Sequence, residues 1–274
     1  MVLVVGDVNS SLAASIVARK LGIPVAHVEA GLRSFDESMP EEINRKLIDC
    51  LSNLLFVSEP AGVENLRREG IDMARVHLVG DIMLETLQIF LPRIRKRRRW
   101  EDFHLSRASY ALVTLHRAAN VDDPEALSEI IDLVESIPYP VILPLHPRTG
   151  KRLEEFGLTA RIDTLPNLKL VPPQPYIDFL SLIEGASLIL SDSGSIQSEA
   201  SFFNVPCLAC REITEHPVYA ERGAVTLVGR DKKRVIDALA RIEQGHRPGS
   251  GDMIRELGEG VAQRIVKIVS ETLL

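Results

Sequence analysis

Short runs of aliphatic and β-branched residues alternate with amphipathic stretches along almost the whole chain. Val2–Val5, Pro24–Val28, Leu54–Val57 and Val76–Val79 read as strands, with helices predicted over Ser10–Leu21, Pro40–Ser52 and Pro60–Glu69 between them. Ser10 is placed to cap the first helix. Pro40 suits the first position of the second, with Glu41 and Glu42 in its first turn, where the helix dipole favours anions. The alternation then restarts. Tyr110–Leu115, Val141–Leu145, Leu168–Val171, Leu188–Leu190, Val205–Ala209 and Val225–Val228 read as strands. Pro124–Ser136, Thr149–Phe156, Tyr176–Glu184, Ser195–Phe203 and Lys232–Glu243 read as the helices between them, and a closing helix is predicted over Asp252–Thr272. Val205–Ala209 lacks period-2 alternation, as a strand buried on both faces does. Such β–α alternation predicts an α/β chain with parallel sheets and helices on both faces.

The first block opens directly on a strand, with nothing in sequence order to cover that strand's far edge. The expected organisation is an N-terminal domain incomplete at its start over 1–92, a basic linker over 93–104, a complete doubly wound domain over 105–250 and the closing helix over 251–274.

Composition narrows the functional classes. Hydrophobic residues at 45% and charged residues at 26% exclude disorder, collagen and coiled coil as descriptions of the whole chain. Lys+Arg 32 against Asp+Glu 38 gives a net charge of −6, so neither nucleic acid nor an anionic membrane is an expected partner. Arg93–Arg99 is the local exception, but it carries no interleaved aromatics and reads as a solvated helix end and linker. No apolar run approaches the ~20 residues of a membrane helix, and the N-terminal Met1–Asp7 has no signal-peptide layout. Three cysteines make no disulfide framework, so a cytoplasmic location is expected. Cys207 and Cys210 have no second pair at metal-ligand spacing and fall in or beside an apolar strand, so no metal is expected there.

Ligands of open α/β sheets bind beyond the carboxyl ends of the strands. Asp7 follows the first strand and Glu29 the second, which places two carboxylates on one rim. They can divide acid and base work; equally, Asp7 can cap the next helix and Glu29 can pair with Arg33. In the second block one strand ends at His116-Arg117 and the next at His146-Pro147-Arg148, a pairing suited to an anionic ligand. Ser191–Glu199 joins a strand to a helix through small residues, so backbone N–H groups can approach an anion at the helix N-terminus, with Ser193 and Ser195 as hydroxyl donors. The plain alternative is a helix capped by Asp192 or Ser193.

Taken in order, Asp7 in Gly-Asp-Val-Asn-Ser-Ser, Glu29 in His-Val-Glu-Ala-Gly-Leu-Arg-Ser, Pro40-Glu-Glu-Ile-Asn-Arg45, Thr114-Leu-His-Arg117, His146-Pro-Arg148, Asp192–Glu199 and Thr214-Glu215 with Pro217 resemble the UDP-N-acetylglucosamine 2-epimerases over nearly the whole chain. The resemblance implies two Rossmann-like doubly wound domains of the glycosyltransferase-B type. It implies interconversion of UDP-N-acetylglucosamine and UDP-N-acetylmannosamine: loss of the C2 proton, elimination of UDP through a 2-acetamidoglucal, and re-addition. By motif, Asp7, Glu29 and Glu41 would handle protons and His116 would stand beside the diphosphate or the sugar. Arg117, His146, Ser193, Gly194, Ser195 and His216 would bind substrate, with Glu199 on the ribose and Phe179 at the uracil. No cofactor is implied, and a homodimer is.

Three departures stand out. Ser195 replaces a glycine of the family's phosphate loop, Ser198 replaces the first of two adjacent glutamates, and His216 replaces an arginine. The family's opening strand and Gly-Thr-Arg-Pro-Glu loop have no counterpart. A hydrolysing epimerase, a non-catalytic nucleotide-sugar-binding module and a retaining glycosyltransferase of the same architecture are the competing readings.

Overall fold

A computed structural model describes residues 1–222, 224–245 and 251–273. The chain divides into two compact units: Met1–Gln88 with Thr214–Val218 and Arg255–Leu274, and Ile89–Ile213 with Tyr219–Ile254. The expected boundary at residue 250 lies outside the described residues, as does residue 274.

The first unit runs β1 (Val2–Val5), α1 (Asn9–Lys20), β2 (Val25–Ala30), α2 (Pro40–Leu51), β3 (Leu54–Val57), α3 (Pro60–Arg68), β4 (Val76–Leu78) and the start of α4 (Ile82–Arg97). Its sheet is all parallel in the order β1-β2-β3-β4. β3 is buried throughout, whereas the edge strand β1 leaves Leu3 and Val5 about half exposed. On one face of β2, Ala26 and Val28 pack with Phe56, Val261 and Ile265; on the other, Val25 packs with Val4, Ala18 and Ile48.

The second unit runs β5 (Ala111–Thr114), α5 (Ala118–Val121), α6 (Pro124–Glu135), β6 (Val141–Pro144), α7 (Pro147–Glu155), α8 (Thr159–Asp163), β7 (Leu168–Val171), α9 (Tyr176–Gly185), β8 (Leu188–Ser191), α10 (Gly194–Phe202), β9 (Cys207–Ala209), α11 (Pro217–Glu221), β10 (Val225–Leu227) and α12 (Lys232–Glu243). Two residues of α11, Pro217 and Val218, count with the first unit. The sheet is parallel in the order β10-β9-β8-β5-β6-β7. Connections leave β5 and β8 toward opposite edges, so these neighbours form the switch point at which such sheets bind ligands.

Beyond it come α13 (Gly251–Glu256) and α14 (Val261–Leu273) in place of one closing helix. Gly258 and Gly260 fall in the break, and a Cβ on Gly258 would stand 2.8 Å from the Leu84 backbone. The basic run 93–99 is the end of α4 followed by a 3-10 turn over Arg99–Phe103, whose Trp100 is buried against Gly185. Among the described residues no helix is long and apolar enough to cross a membrane.

Candidate active site

The first unit gathers charge at the carboxyl ends of β1 to β3. Asp7 follows β1 and accepts hydrogen bonds from the Arg45 guanidinium, the Nε bond at 3.0 Å. Arg45 also meets Glu42 at 3.2 Å and Glu215 at 3.9 Å, so one buried cation is shared by three carboxylates. The plainer roles considered for Asp7 and Glu29 do not hold. Val8 is the N-cap of α1, without a side-chain cap, and Arg33 pairs with Asp49 and Glu69.

Glu29 has φ 71° at the bulge between Val28 and Ala30. The left-handed region is costly for a residue with a Cβ and is tolerated where the surroundings impose it. Gly6 stands opposite, where an added Cβ would lie 3.5 Å from Glu29 Oε2. Burial pushes the Glu29 carboxyl up to about 7; Asp81 and Asp7 push the same way, against His216 and His27. A carboxyl raised in this way, chiefly by burial, is suited to exchanging a proton near neutrality.

Glu41 is exposed on the first turn of α2. Its neighbour Glu42 is fully buried, with Oε2 accepting from Ser34 N–H and Oγ at 2.9 Å each and Oε1 from Phe35 N–H at 3.2 Å. Of the two, Glu42 is the one tied to Arg45. His216 also belongs to this unit, its Nδ1 3.2 Å from Glu59 Oε2. Burial opposes the ring's charge, yet the bond to Glu59 and the charges of Glu59, Asp81 and Glu215 raise its pKa.

In the second unit Asp192 leaves β8 completely buried. Its carboxylate accepts from the N–H of His116 (3.1 Å), the N–H of Arg117 (2.9 Å) and Asn120 Nδ2 (3.2 Å), and lies 3.1 Å from His116 Nδ1. Burial alone would raise its pKa, but His116 and these donors hold it below the usual carboxylate range. Asp192 thus fixes the loop that follows the neighbouring strand β5. The His116 ring lies 5.4 Å from that of exposed His146, centroid to centroid. His146 caps α7 by accepting from Arg148 N–H at 3.2 Å, and burial, His116 and Arg148 lower its pKa.

Ser193 is the N-cap residue of α10, and its Oγ is 3.1 Å from that of exposed Ser195. Gly194 and Ser195 form the first helical turn. A Cβ is at home on that backbone, so replacing glycine by Ser195 needs no strained φ. Ser198 Oγ donates to Ser195 O at 2.7 Å. Glu199 is buried in α10, and Phe179 is half-buried in α9.

One rim of the second unit thus unites His116, Arg117, His146, Ser193, Gly194 and Ser195, while Asp7 and Glu29 share a rim of the first. Arg45, Glu42 and Asp192 were not singled out for these sites from the sequence. Asp192 could have been found, since it follows a strand as His116 does, and Arg45 is one turn beyond Glu42. Cys207 and Cys210 are buried in an apolar setting that pushes the Cys207 thiol up to about 12 and the Cys210 thiol well above its ordinary value. Both stay protonated at neutral pH and are poor metal ligands. Among the described residues no group of three or more His, Cys, Asp or Glu could hold a metal ion.

Two Rossmann-like units with all-parallel sheets define an α/β protein of the glycosyltransferase-B type. The family model for UDP-N-acetylglucosamine 2-epimerase matches residues 1–270, and the chain belongs to that family. It is 43% identical over 246 residues to a UDP-N-acetylglucosamine 2-epimerase of Methanocaldococcus jannaschii, covering 87% of this chain and 67% of that protein. It is 39% identical over 242 residues to a UDP-2,3-diacetamido-2,3-dideoxy-D-glucuronate 2-epimerase of Pseudomonas aeruginosa, covering 86% and 66%. The crystal structure of the M. jannaschii UDP-GlcNAc 2-epimerase in complex with UDP-GlcNAc and UDP superposes with a TM-score of 0.87 at 40% identity, covering 98% of this chain and 75% of that one.

Proposed function

We propose that this chain inverts C2 of a UDP-linked 2-acetamido sugar, interconverting UDP-N-acetylglucosamine and UDP-N-acetylmannosamine without hydrolysis. The observation that carries this is Glu29, on a left-handed backbone with its carboxyl pushed up to about 7, on the rim it shares with the Arg45-bound Asp7. C2 of the sugar has no adjacent carbonyl, so its proton leaves only as the C1–O bond to UDP weakens. Glu29 takes that proton, the C2–H pair becomes the C1=C2 bond of a 2-acetamidoglucal, and UDP departs with the C1–O pair. A proton is then delivered to the opposite face of C2 while a β-phosphate oxygen of UDP re-forms the bond to C1. Asp7, oriented by Arg45, serves the second face, with Glu41 as the third carboxylate.

Holding the departed UDP is the other requirement. Ser193, Gly194 and Ser195 present hydroxyls, backbone N–H groups and the α10 dipole to the diphosphate. His116, Arg117 and His146 add donors, Glu199 takes the ribose hydroxyls and Phe179 the uracil. His216, in the first unit, is a further substrate-binding residue. The working form is a cytoplasmic homodimer, in keeping with the family.

The P. aeruginosa relative favours a second substrate with the same C2 chemistry, a UDP-2,3-diacetamido uronate. Incubating the chain with each UDP-sugar in heavy water and following C2 by NMR tests both. Deuterium at C2 of both epimers, with no free sugar, is expected. Free N-acetylmannosamine with UDP would mark a hydrolysing enzyme. No label with either sugar, despite binding of UDP, would leave a nucleotide-sugar-binding module and overturn the proposal.

A further inference from the structure

Glu29 cannot hold a left-handed backbone unaided, and the residues on either side of it converge on a single buried carboxylate. Asp49, on α2 and completely buried, has its Oδ1 2.6 Å from His27 Nδ1, two residues before Glu29. Its Oδ2 accepts from Gly31 N–H at 3.1 Å, two residues after, and meets Arg33 Nη1 at 2.8 Å, four residues after. His27 in turn donates from Nε2 to Gly6 O at 3.2 Å, and Gly6 N–H donates to Val28 O at 3.0 Å, which closes the tie to the strand that delivers Asp7. Arg33 is buried and anchored by a fork to Glu69, with Nε at 2.7 Å and Nη2 at 2.6 Å. The bulge at Glu29 is thereby pinned from both flanks, and none of these contacts uses the Glu29 side chain itself.

We propose that Asp49, acting through His27 and the Gly31 amide, is the positioning residue that keeps Glu29 in its left-handed conformation and its carboxyl on the rim beside Gly6 and Asp7. This rests on the assignment of Glu29 as the proton-handling group. Without the clamp, the peptide at Glu29 relaxes toward the extended region that β2 otherwise follows, and the side chain turns away from Gly6. The groups that face the carboxyl in the native arrangement are Asp81, Asp7, His216 and His27; turned away, Glu29 is governed by solvent instead.

The test compares His27→Gln, Asp49→Asn and Glu29→Gln in the heavy-water exchange assay, with kcat, KM and the pH profile of kcat/KM. His27→Gln keeps a buried polar group of similar size, so it decides the matter if Asp49→Asn does not fold. The expected result is a kcat lowered about 100-fold with KM within about threefold. The acid limb of kcat/KM, set near pH 7 by Glu29, is expected to move toward 4.5. A loss of folded protein alone would lower the signal without moving that limb. If folded His27→Gln and Asp49→Asn keep both kcat and the limb while Glu29→Gln is inactive, the positioning role is wrong and the assignment of Glu29 stands. If Glu29→Gln turns over normally, the functional reading itself falls.

Discussion

At the scale of the residue, activity and stability pull Glu29 in opposite directions. Its carboxyl ionises near 4.5 in an unfolded chain but near 7 in the fold. Between those values the unfolded state has released a proton that the folded state retains, so the contribution to stability falls as pH rises from 4.5 to 7 and levels off above. Glu29→Gln is therefore expected to stabilise the protein at pH 8 by roughly 2–3 kcal/mol, with little difference at pH 4, while abolishing C2 exchange. Urea titrations across that pH range measure it, and a variant equal to the parent at pH 8 would refute it. Arg45 shows the opposite balance. It is buried among Asp7, Glu42 and Glu215, and Arg45→Met leaves carboxylates without their cation at a cost of about 3–5 kcal/mol. That loss is expected in the denaturation midpoint.

At the scale of the element, the strands were legible because a buried parallel strand must be a short apolar run, and Leu54–Val57, buried throughout, matches to the residue. The rims were legible for the same reason, since polar residues that directly follow such runs have few other places to go. What sequence could not show depends on contacts made far along the chain. Asp49 looks like a surface position of an amphipathic helix, yet it is fully buried by partners at 27, 31 and 33. Helix α4 carries Pro92 in its interior, which argues locally against a helix over 82–97. The break between α13 and α14 follows from the close approach around Gly80 (φ 95°), where a Cβ would come 2.2 Å from Leu257 O. Gly80→Ala is accordingly expected to cost at least about 2 kcal/mol through both clash and strain. Gly22→Ala, with the same sign of φ but open space around it, is expected to cost about 1 kcal/mol. Equal losses in thermal denaturation would show that the turn beyond α13 is not held by Gly80.

At the scale of the whole molecule, the proposed function assigns different tasks to the two units. Glu29, assigned to proton transfer, belongs to the first, and the α10 N-terminus assigned to the diphosphate belongs to the second with the His116 loop that Asp192 fixes. Nucleotide binding and proton transfer should therefore be separable by mutation. A ligand that binds only the folded state stabilises it by about 2.7 kcal/mol at a hundred times its dissociation constant, so UDP is expected to raise Tm of the parent chain. Glu29→Gln should keep that rise, because a free carboxyl in the first unit contributes nothing to holding a diphosphate. The double variant Ser193→Ala with Ser195→Ala should lose most of the rise, because it removes both hydroxyls from the N-terminus of α10. Its C2 exchange should fall chiefly through KM, since ground state and transition state lose the same contact. Asp192→Ala should lose the UDP response as well, together with stability, because the His116 and Arg117 N–H groups lose their carboxylate acceptor and Asn120 keeps only its bond to Cys210 O. A UDP response that vanished in Glu29→Gln and survived in the serine variant would reverse the assignment of the two units.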